Sequence, residues 1–370
     1  PYPADTPAER TKSVGRIQGE DGRIPVVFNG HGHALSPLTV SLPEQNMAWN
    51  PEGHLVVAST FATPYEHGLP RHLLAFHPEG GAPKYTDFVG PQLRPPTGIT
   101  WGWPAPIGLV REHVACSPDG KYIYYTHSSY RNRHTVFRLY WGEDTDEGME
   151  VGFLGKDCRP GSDDEHLSDP LGVAVDAQGR IYVCDHGNRR VMIYSPDGKP
   201  LSKFDVVDPE EISIHPRTGE IYIAAREGWR LGPPKRTGPM FMPEYRRWKK
   251  RKAERYKKMP PKRPRVLYKF SAFEPGKPPR QITRMEAAFD LIAVDPTSKE
   301  PRLWAVRNRR EIVPVVDKGD RFEVGDPIDG GGGFKYPMYV TADPANNRAL
   351  IVDRARRNAA TAIDLKTGEL

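Results

Sequence analysis

The sequence has few cysteines and no long apolar run. Three of its 370 residues are cysteine, and no two of them form a Cys-x-x-Cys pair. This spacing excludes a cysteine-built zinc ribbon and a c-type haem attachment site. No apolar stretch is long enough to span a bilayer, so no transmembrane segment is predicted. The sequence also has no motif that pairs a nucleophile with a base.

Turn-forming residues are abundant instead. The 35 Gly and 39 Pro, with 37% apolar residues, are typical of a turn-dense globular protein. The sequence begins with Pro1 and not with Met, so we expect a processed or excised piece of a longer chain. We predict a secreted or periplasmic bacterial protein, although the apparently free cysteines argue against an oxidising compartment.

Positive charge is concentrated in one segment. Residues 235–265 contain fourteen Lys and Arg against two Glu, a local net charge of +12, whereas the whole chain carries +6. The remaining chain is therefore mildly acidic, and we predict a basic insertion at 233–264 that begins a helix at Pro243. It is either a solvated helical hairpin or a docking arm for a protein partner or an acidic membrane surface. The partner-docking residues predicted there are Arg246, Trp248, Lys249 and Arg251.

The stretch from Leu167 to Asp205 has the composition of short strands. Its apolar runs at 172–175, 180–184 and 191–194 alternate with period two, and Ala-Gln-Gly and Pro-Asp-Gly turns separate them. A weaker run follows at 201–204. Four strands joined by tight turns in about forty residues predict one blade of a β-propeller.

The same stretch resembles the NHL repeat family. The resemblance is carried by Pro-Leu-Gly-Val-Ala-Val-Asp at 170–176, Gly-Arg-Ile-Tyr-Val at 179–183 and Gly-Asn-Arg-Arg-Val at 187–191. It implies a propeller fold and leaves the function open.

Six inner strands can be aligned by the turn that follows each of them. The aligned strands are Met47–Asn50, Val114–Ser117, Val173–Asp176, Ile212–His215, Ile292–Asp295 and Val340–Asp343. We therefore predict an all-β, six-bladed β-propeller over 23–370, preceded by an N-terminal arm at 1–22. The strand Arg23–Asn29 is expected to close the ring as the outer strand of the last blade, and blade four carries the basic helical insertion.

The residues just before these strands are expected to surround the mouth of the central channel. Three of them, Asn46, His113 and Glu211, are predicted to hold one divalent metal, zinc or calcium, with manganese also suited to such mixed ligands. Gly172 would leave one position open for water or substrate. The alternative is that these polar residues line a wet channel.

Two groups of propeller enzymes are similar at these positions. His113 resembles a zinc ligand of the peptidyl-hydroxyglycine lyases, and Glu211, Asn46 and Asp290 resemble the axial residues of the gluconolactonase-like hydrolases. The lyase pattern needs three axial histidines, and only His113 is placed to be one. If this end of the ring is an active site, we predict that Glu112 or Asp290 acts as the base and that Tyr339 or a nearby arginine stabilises an oxyanion.

Arginines and histidines follow the predicted second strands. We predict that an anionic ligand is bound there, because guanidinium groups match carboxylate, phosphate and sulfate. The alternative is that these arginines pair with loop carboxylates and fix adjacent blades, which is the favoured role for Arg190. The predicted ligand-binding residues are His127, Arg131, His186, Arg189, Arg307 and Arg354.

The leading functional hypothesis is a binding or scaffolding propeller that holds a ligand or partner protein on its long-loop face. The alternative is a metal-dependent lyase or hydrolase with an axial divalent metal. A nucleic-acid binder is a weaker third hypothesis, because the basic residues are confined to one segment of an otherwise acidic chain.

Overall fold

The computed structural model describes residues 47–49, 51, 55–60, 71–76, 92–93, 112–127, 134–140, 149–226, 265–295, 300–308, 311–328, 337–343, 348–353 and 359–364. Within these ranges the strands form six antiparallel sheets. Sheet 1 comprises β1 (Met47–Trp49), β2 (Leu55–Thr60), β3 (Arg71–Phe76) and β4 (Gln92–Leu93). Sheet 2 comprises β5 (Glu112–Cys116), β6 (Tyr122–His127), β7 (Val136–Tyr140) and β8 (Met149–Leu154).

The next sheets follow in chain order. Sheet 3 comprises β9 (Pro170–Val175), β10 (Ile181–Asp185), β11 (Arg190–Tyr194) and β12 (Pro200–Asp205). Sheet 4 comprises β13 (Pro209–Ile214), β14 (Ile221–Arg226), β15 (Arg265–Phe270) and β16 (Gln281–Glu286). Sheet 5 comprises β17 (Phe289–Asp295), β18 (Arg302–Arg307), β19 (Glu311–Asp317) and β20 (Phe322–Val324). Sheet 6 comprises β21 (Pro337–Asp343), β22 (Arg348–Asp353) and β23 (Ala359–Asp364).

The sheets are arranged as a propeller. The first strand of each sheet contacts the first strand of the next, and β21 contacts β1, so the first strands surround a common axis. We call the side on which these first strands begin the upper side. The connections from second to third strands also lie there, because neighbouring strands are antiparallel.

The predicted fold requires correction. Four sheets, sheets 2 to 5, are regular four-stranded blades, whereas β4 of sheet 1 has two residues and sheet 6 has three described strands. Both residues of β4 pair with β3, and the connections on either side of β4, 77–91 and 94–111, lie outside the described residues. The described residues contain two short 3-10 helices, Lys156–Cys158 and His186–Asn188, and no α-helix. The prediction of a six-bladed propeller with strand closure and a helical insertion is therefore wrong as stated, because the described residues form four regular blades and no α-helix. The predicted closing strand at 23–29 and the insertion at 233–264 lie outside the described residues.

The hydrophobic core consists of layers between adjacent sheets. Alternate residues of each strand face opposite neighbours, so that Tyr182 and Ile193 of sheet 3 pack with Ile223 and Tyr268 of sheet 4, while Tyr222 of sheet 4 packs towards sheet 5. Burial on both faces explains why these strands are nearly continuous apolar runs. Within the described ranges, no helix is long and apolar enough to cross a membrane.

Tight turns close the lower side of the regular blades. In the Ala-Gln-Gly turn, the Asp176 carboxylate accepts the backbone N–H groups of Gln178 and Arg180. Gly179 adopts a φ of 77°, which favours glycine at the last turn position. The turn pattern recognised in the sequence therefore has a direct structural cause.

Candidate binding site at the upper ends of the first strands

The upper ends of several first strands are irregular. Register shifts interrupt the pairing of β13 at Glu210, of β17 at Asp290 and of β21 between Pro337 and Tyr339. A bulge re-aims the side chains around it and ends regular alternation. Glu210, Glu211 and Asp290 lie at these irregular upper ends.

His113 of sheet 2 meets Glu211 of sheet 4 at this end. His113 Nδ1 lies 3.2 Å from a Glu211 carboxylate oxygen, and the two residues are only 4% and 7% exposed. Sheet 3 lies between their sheets, and its residue at the equivalent position is Gly172. A Cβ atom on Gly172 would lie 2.8 Å from the Glu210 carbonyl oxygen. The missing side chain thus allows β9 to pack closely on β13 while the histidine and the glutamate approach each other.

The second ring nitrogen of His113 is the most informative atom of this pair. Nε2 is buried and has no hydrogen-bond partner among the described residues, and the 3.2 Å approach of Nδ1 to Glu211 does not have the geometry of a hydrogen bond. Leaving a buried polar atom without a partner costs about 1–3 kcal/mol. In metal sites, a ligating histidine commonly directs its other nitrogen to a carboxylate. Glu211 lies 3.2 Å from Nδ1 and so places a carboxylate on the side of the ring where that arrangement needs one.

Two ion pairs lie beside this pair. Arg226 Nη2 lies 3.5 Å from Glu210 Oε2, and Arg265 forms an ion pair with Asp290. Arg226 ends β14 and Arg265 begins β15, so the basic insertion connects the two arginines. Glu210, Arg226 and Arg265 were not among the predicted site residues. The available clue was their position beside the predicted ring and at the two ends of the insertion.

The structure places the predicted catalytic residues at the same side without bringing all of them together. Asp290 is engaged by Arg265. Glu112 begins β5 and Tyr339 lies in β21, and the described structure does not extend to their side chains. Asn46, the third predicted metal ligand, lies outside the described residues.

The predicted ligand-binding residues have protein partners where they are described. Arg189 Nε lies 3.3 Å from Asp208, and Arg307 Nε lies 2.7 Å from Glu311. His186 is buried, and its Nδ1 donates to the Pro209 carbonyl oxygen at 3.1 Å. His127 ends β6. Arg131 and Arg354 lie outside the described residues, as do the four predicted docking residues at 246–251.

Arg190 fixes the loop that precedes sheet 3. Its guanidinium pairs with Asp185 at 2.7 Å and donates to the carbonyl oxygens of Ser162, Asp163 and His166. Arg190 is 6% exposed, so these bonds are shielded from water. Arg190 therefore ties this loop to its own sheet, whereas its predicted role in fixing adjacent blades stays a prediction.

The described side chains alone do not complete a metal site. Within the part of the chain that the structure describes, no group of three or more His, Cys, Asp and Glu residues is arranged to hold an ion. His113 and Glu211 would therefore supply part of a site, and further ligands would come from elsewhere at this end of the ring.

Comparison with known proteins agrees with this architecture. The NHL repeat family matches residues 167–194, which contain β9, β10 and β11. Residues 167–194 thus carry an NHL repeat, and they lie in one sheet of the propeller. Among solved structures, the β-propeller domain of Cps50 (Swd1) from Myceliophteria thermophila aligns over 96% of this chain and 94% of its own length, with a TM-score of 0.51 and 8% identity. This likeness concerns the fold alone.

Curated relatives align over short stretches of this chain. Peptidyl-glycine alpha-amidating monooxygenase A of Xenopus laevis is 30% identical over 112 aligned residues, which cover 26% of this chain and 12% of that protein. Protein lin-41 of Caenorhabditis elegans is 40% identical over 69 residues, which cover 19% of this chain and 6% of that protein. The chain thus spans a small part of these relatives.

Proposed function

We propose that this NHL-type propeller is a binding module that holds its ligand at the upper mouth of the ring, and that a divalent cation bound by His113 belongs to the site. The observation that carries the proposal is the buried Nε2 of His113, which has no hydrogen-bond partner among the described residues. A cation there would remove the cost of that desolvated nitrogen.

Glu211 supports the proposal in either of two ways. It contacts Nδ1 at 3.2 Å, so it would fix the ring and leave Nε2 directed at the ion. Its second oxygen also makes it a candidate ligand, as the sequence predicted. Asn46 remains the predicted third ligand. A cation with mixed nitrogen and oxygen ligands fits this set of donors, and zinc is the first candidate.

The experiment is metal analysis of the purified chain after equilibration with zinc, calcium or manganese and removal of excess ion. The proposal predicts about one retained ion per chain, the stoichiometry of a single site. His113→Ala should lose it. His166→Ala is the matched control, because His166 is a histidine of the same side whose Nδ1 already contacts Asp163 at 2.7 Å.

A second outcome would contradict the proposal. If the wild-type chain retains no ion, or if His113→Ala and His166→Ala retain as much as the wild type, the cation is not held at the mouth. Circular dichroism and thermal unfolding of both variants would show that they remain folded.

A metal-dependent lyase or hydrolase is the second candidate function. Its support is the 30% identity with a peptidyl-glycine alpha-amidating monooxygenase, over an alignment that covers 26% of this chain. A bound cation would supply Lewis acidity at the mouth. Glu112 would act as base, because Asp290 is engaged by Arg265, and Tyr339 would stabilise an oxyanion. Turnover of amidoglycolates or lactones that is lost in Glu112→Gln would support this candidate, and no turnover by the metal-loaded chain would exclude these substrates.

The basic insertion is proposed as the docking arm for an acidic protein partner. Its support is the net charge of +12 over 235–265 and its attachment at Arg226 and Arg265 on the upper side. Deletion of 235–263 should abolish partner binding and leave thermal stability nearly unchanged. Collapse of the fold on deletion would instead assign the insertion a structural role. A secreted or periplasmic location remains a prediction.

A further inference from the structure

Among the side chains that the structure describes, three carboxylates lie at the upper ends of β13 and β17, and two of them form ion pairs with arginine. Glu210 and Glu211 are adjacent in β13, and Asp290 lies in the neighbouring first strand β17. Arg226 pairs with Glu210 and Arg265 pairs with Asp290. Glu211 instead contacts the imidazole of His113. Only one of the three acids is thus directed to the proposed cation ligand.

The arrangement of the two arginines is electrostatically unfavourable by itself. Arg226 and Arg265 are directly opposite each other in the β14–β15 pairing, and like charges in such cross-strand pairs are destabilising. Their side chains are about one-fifth exposed, at 20% and 19%, so water screens them only partly. The pairs with Glu210 and Asp290 compensate this repulsion, which ties the two arginines to the mouth.

The neutralisation of two acids has a chemical consequence for the cation. Calcium prefers a site with several carboxylate and carbonyl oxygens, whereas zinc and its neighbours in the transition series favour imidazole nitrogen. We propose that Arg226 and Arg265 are specificity-determining residues: by holding Glu210 and Asp290 in ion pairs, they make the mouth select a nitrogen-preferring transition-metal ion over calcium. This inference rests on the proposed cation site.

The test is titration of the full chain with zinc and, separately, with calcium by isothermal calorimetry. The wild type should bind zinc more tightly than calcium. Arg265→Gln should raise calcium affinity by about tenfold or more, because it leaves the Asp290 charge beside the ion in a partly desolvated site. Zinc affinity should change less, so the zinc-to-calcium ratio falls. Arg226→Gln tests the same effect through Glu210.

Two further variants control for indirect effects. The double variant Arg265→Gln/Asp290→Asn removes both charges and should return the ratio towards the wild-type value. Arg302→Gln is the matched control. Arg302 pairs with Asp295, which lies at the opposite end of β17 from Asp290. It should leave the ratio unchanged. If Arg265→Gln does not fold, Arg226→Gln decides the question, since it acts on a different acid.

The outcomes separate this inference from the proposed function. A wild type that binds zinc, with an unchanged ratio in both single variants, overturns the specificity role and leaves the cation site intact. A wild type that binds calcium more tightly than zinc also overturns the specificity role and leaves the cation site intact. A wild type that binds neither ion refutes the proposed cation site and the inference with it.

Discussion

Replacing Asp317 by asparagine should break the buried ion pair that joins sheets 4 and 5. The Asp317 carboxylate accepts the Lys269 ammonium at 2.7 Å and the Tyr222 hydroxyl at 2.6 Å. Its side chain is fully buried, and that of Lys269 is 4% exposed. Lys269 and Tyr222 belong to sheet 4 and Asp317 to sheet 5, so the pair bridges two blades.

The expected cost follows from what the substitution leaves behind. Removing one partner of a buried ion pair typically costs about 3–5 kcal/mol, because the remaining charge stays desolvated. Lys269 keeps a second contact with Glu220 at 2.8 Å, so we expect the lower part of that range for Asp317→Asn. The double variant Lys269→Met/Asp317→Asn removes both charges and should be less destabilised than the single variant.

The assay is denaturant unfolding at neutral pH, read by tryptophan fluorescence. A cost below about 1 kcal/mol for Asp317→Asn, as for an exposed ion pair, would refute the reasoning. Strictly additive costs in the double variant would also refute it, since the two residues would then not be coupled.

The same ion pair predicts a pH dependence. Burial by itself lowers the pKa of the Lys269 ammonium, but its hydrogen bonds with Asp317 and Glu220 outweigh burial and hold that pKa above its usual value. The stabilisation is therefore fully present below the ordinary lysine pKa and is lost as the pH rises through the higher folded-state value. Lys269→Met should remove this alkaline loss.

Three further predictions follow from single residues. Gly172→Ala should destabilise the chain by about 1–3 kcal/mol, because the added Cβ meets backbone 2.8 Å away. A cost below about 0.5 kcal/mol in thermal unfolding, as for an ordinary surface substitution, would contradict this. Arg190→Lys should speed hydrogen exchange across 162–166, because an ammonium cannot replace the guanidinium donors; wild-type protection would argue against the clamp. Burial lowers the pKa of His215, so the stability of the chain should fall as the pH drops below the ordinary histidine pKa of about 6.5. The denaturation midpoints of the wild type and of His215→Asn are compared between about pH 7.5 and 5. A midpoint that does not change with pH in either protein would contradict this prediction.

The strands of sheet 3 could be predicted because their pattern is local. The predicted runs at 172–175, 180–184, 191–194 and 201–204 lie within or overlap β9 to β12. Alternate residues of each strand are apolar, and turn residues lie between the strands, so a few neighbouring positions are enough to predict each strand. The strand prediction for this stretch is therefore confirmed.

The candidate site could be predicted only in part. Alignment of the inner strands placed His113 and Glu211 at equivalent positions, and the structure brings them to 3.2 Å. The partners of Arg226 and Arg265 could not be deduced, because Asp290 belongs to another sheet and the bulges at Glu210 and Asp290 leave no pattern in the sequence. The contacts of Arg189 with Asp208 and of Arg307 with Glu311 agree with the alternative that these arginines pair with carboxylates.

The most direct test of the cation site is a crystal of the zinc-equilibrated chain with an anomalous difference map at the zinc edge. The proposed function predicts one strong peak at the upper mouth, about 2.0–2.1 Å from His113 Nε2, the usual zinc–nitrogen distance. Glu211 should remain in contact with His113 or the ion. A map without a peak at the mouth, or with Nε2 hydrogen-bonded to a protein group, would contradict the account.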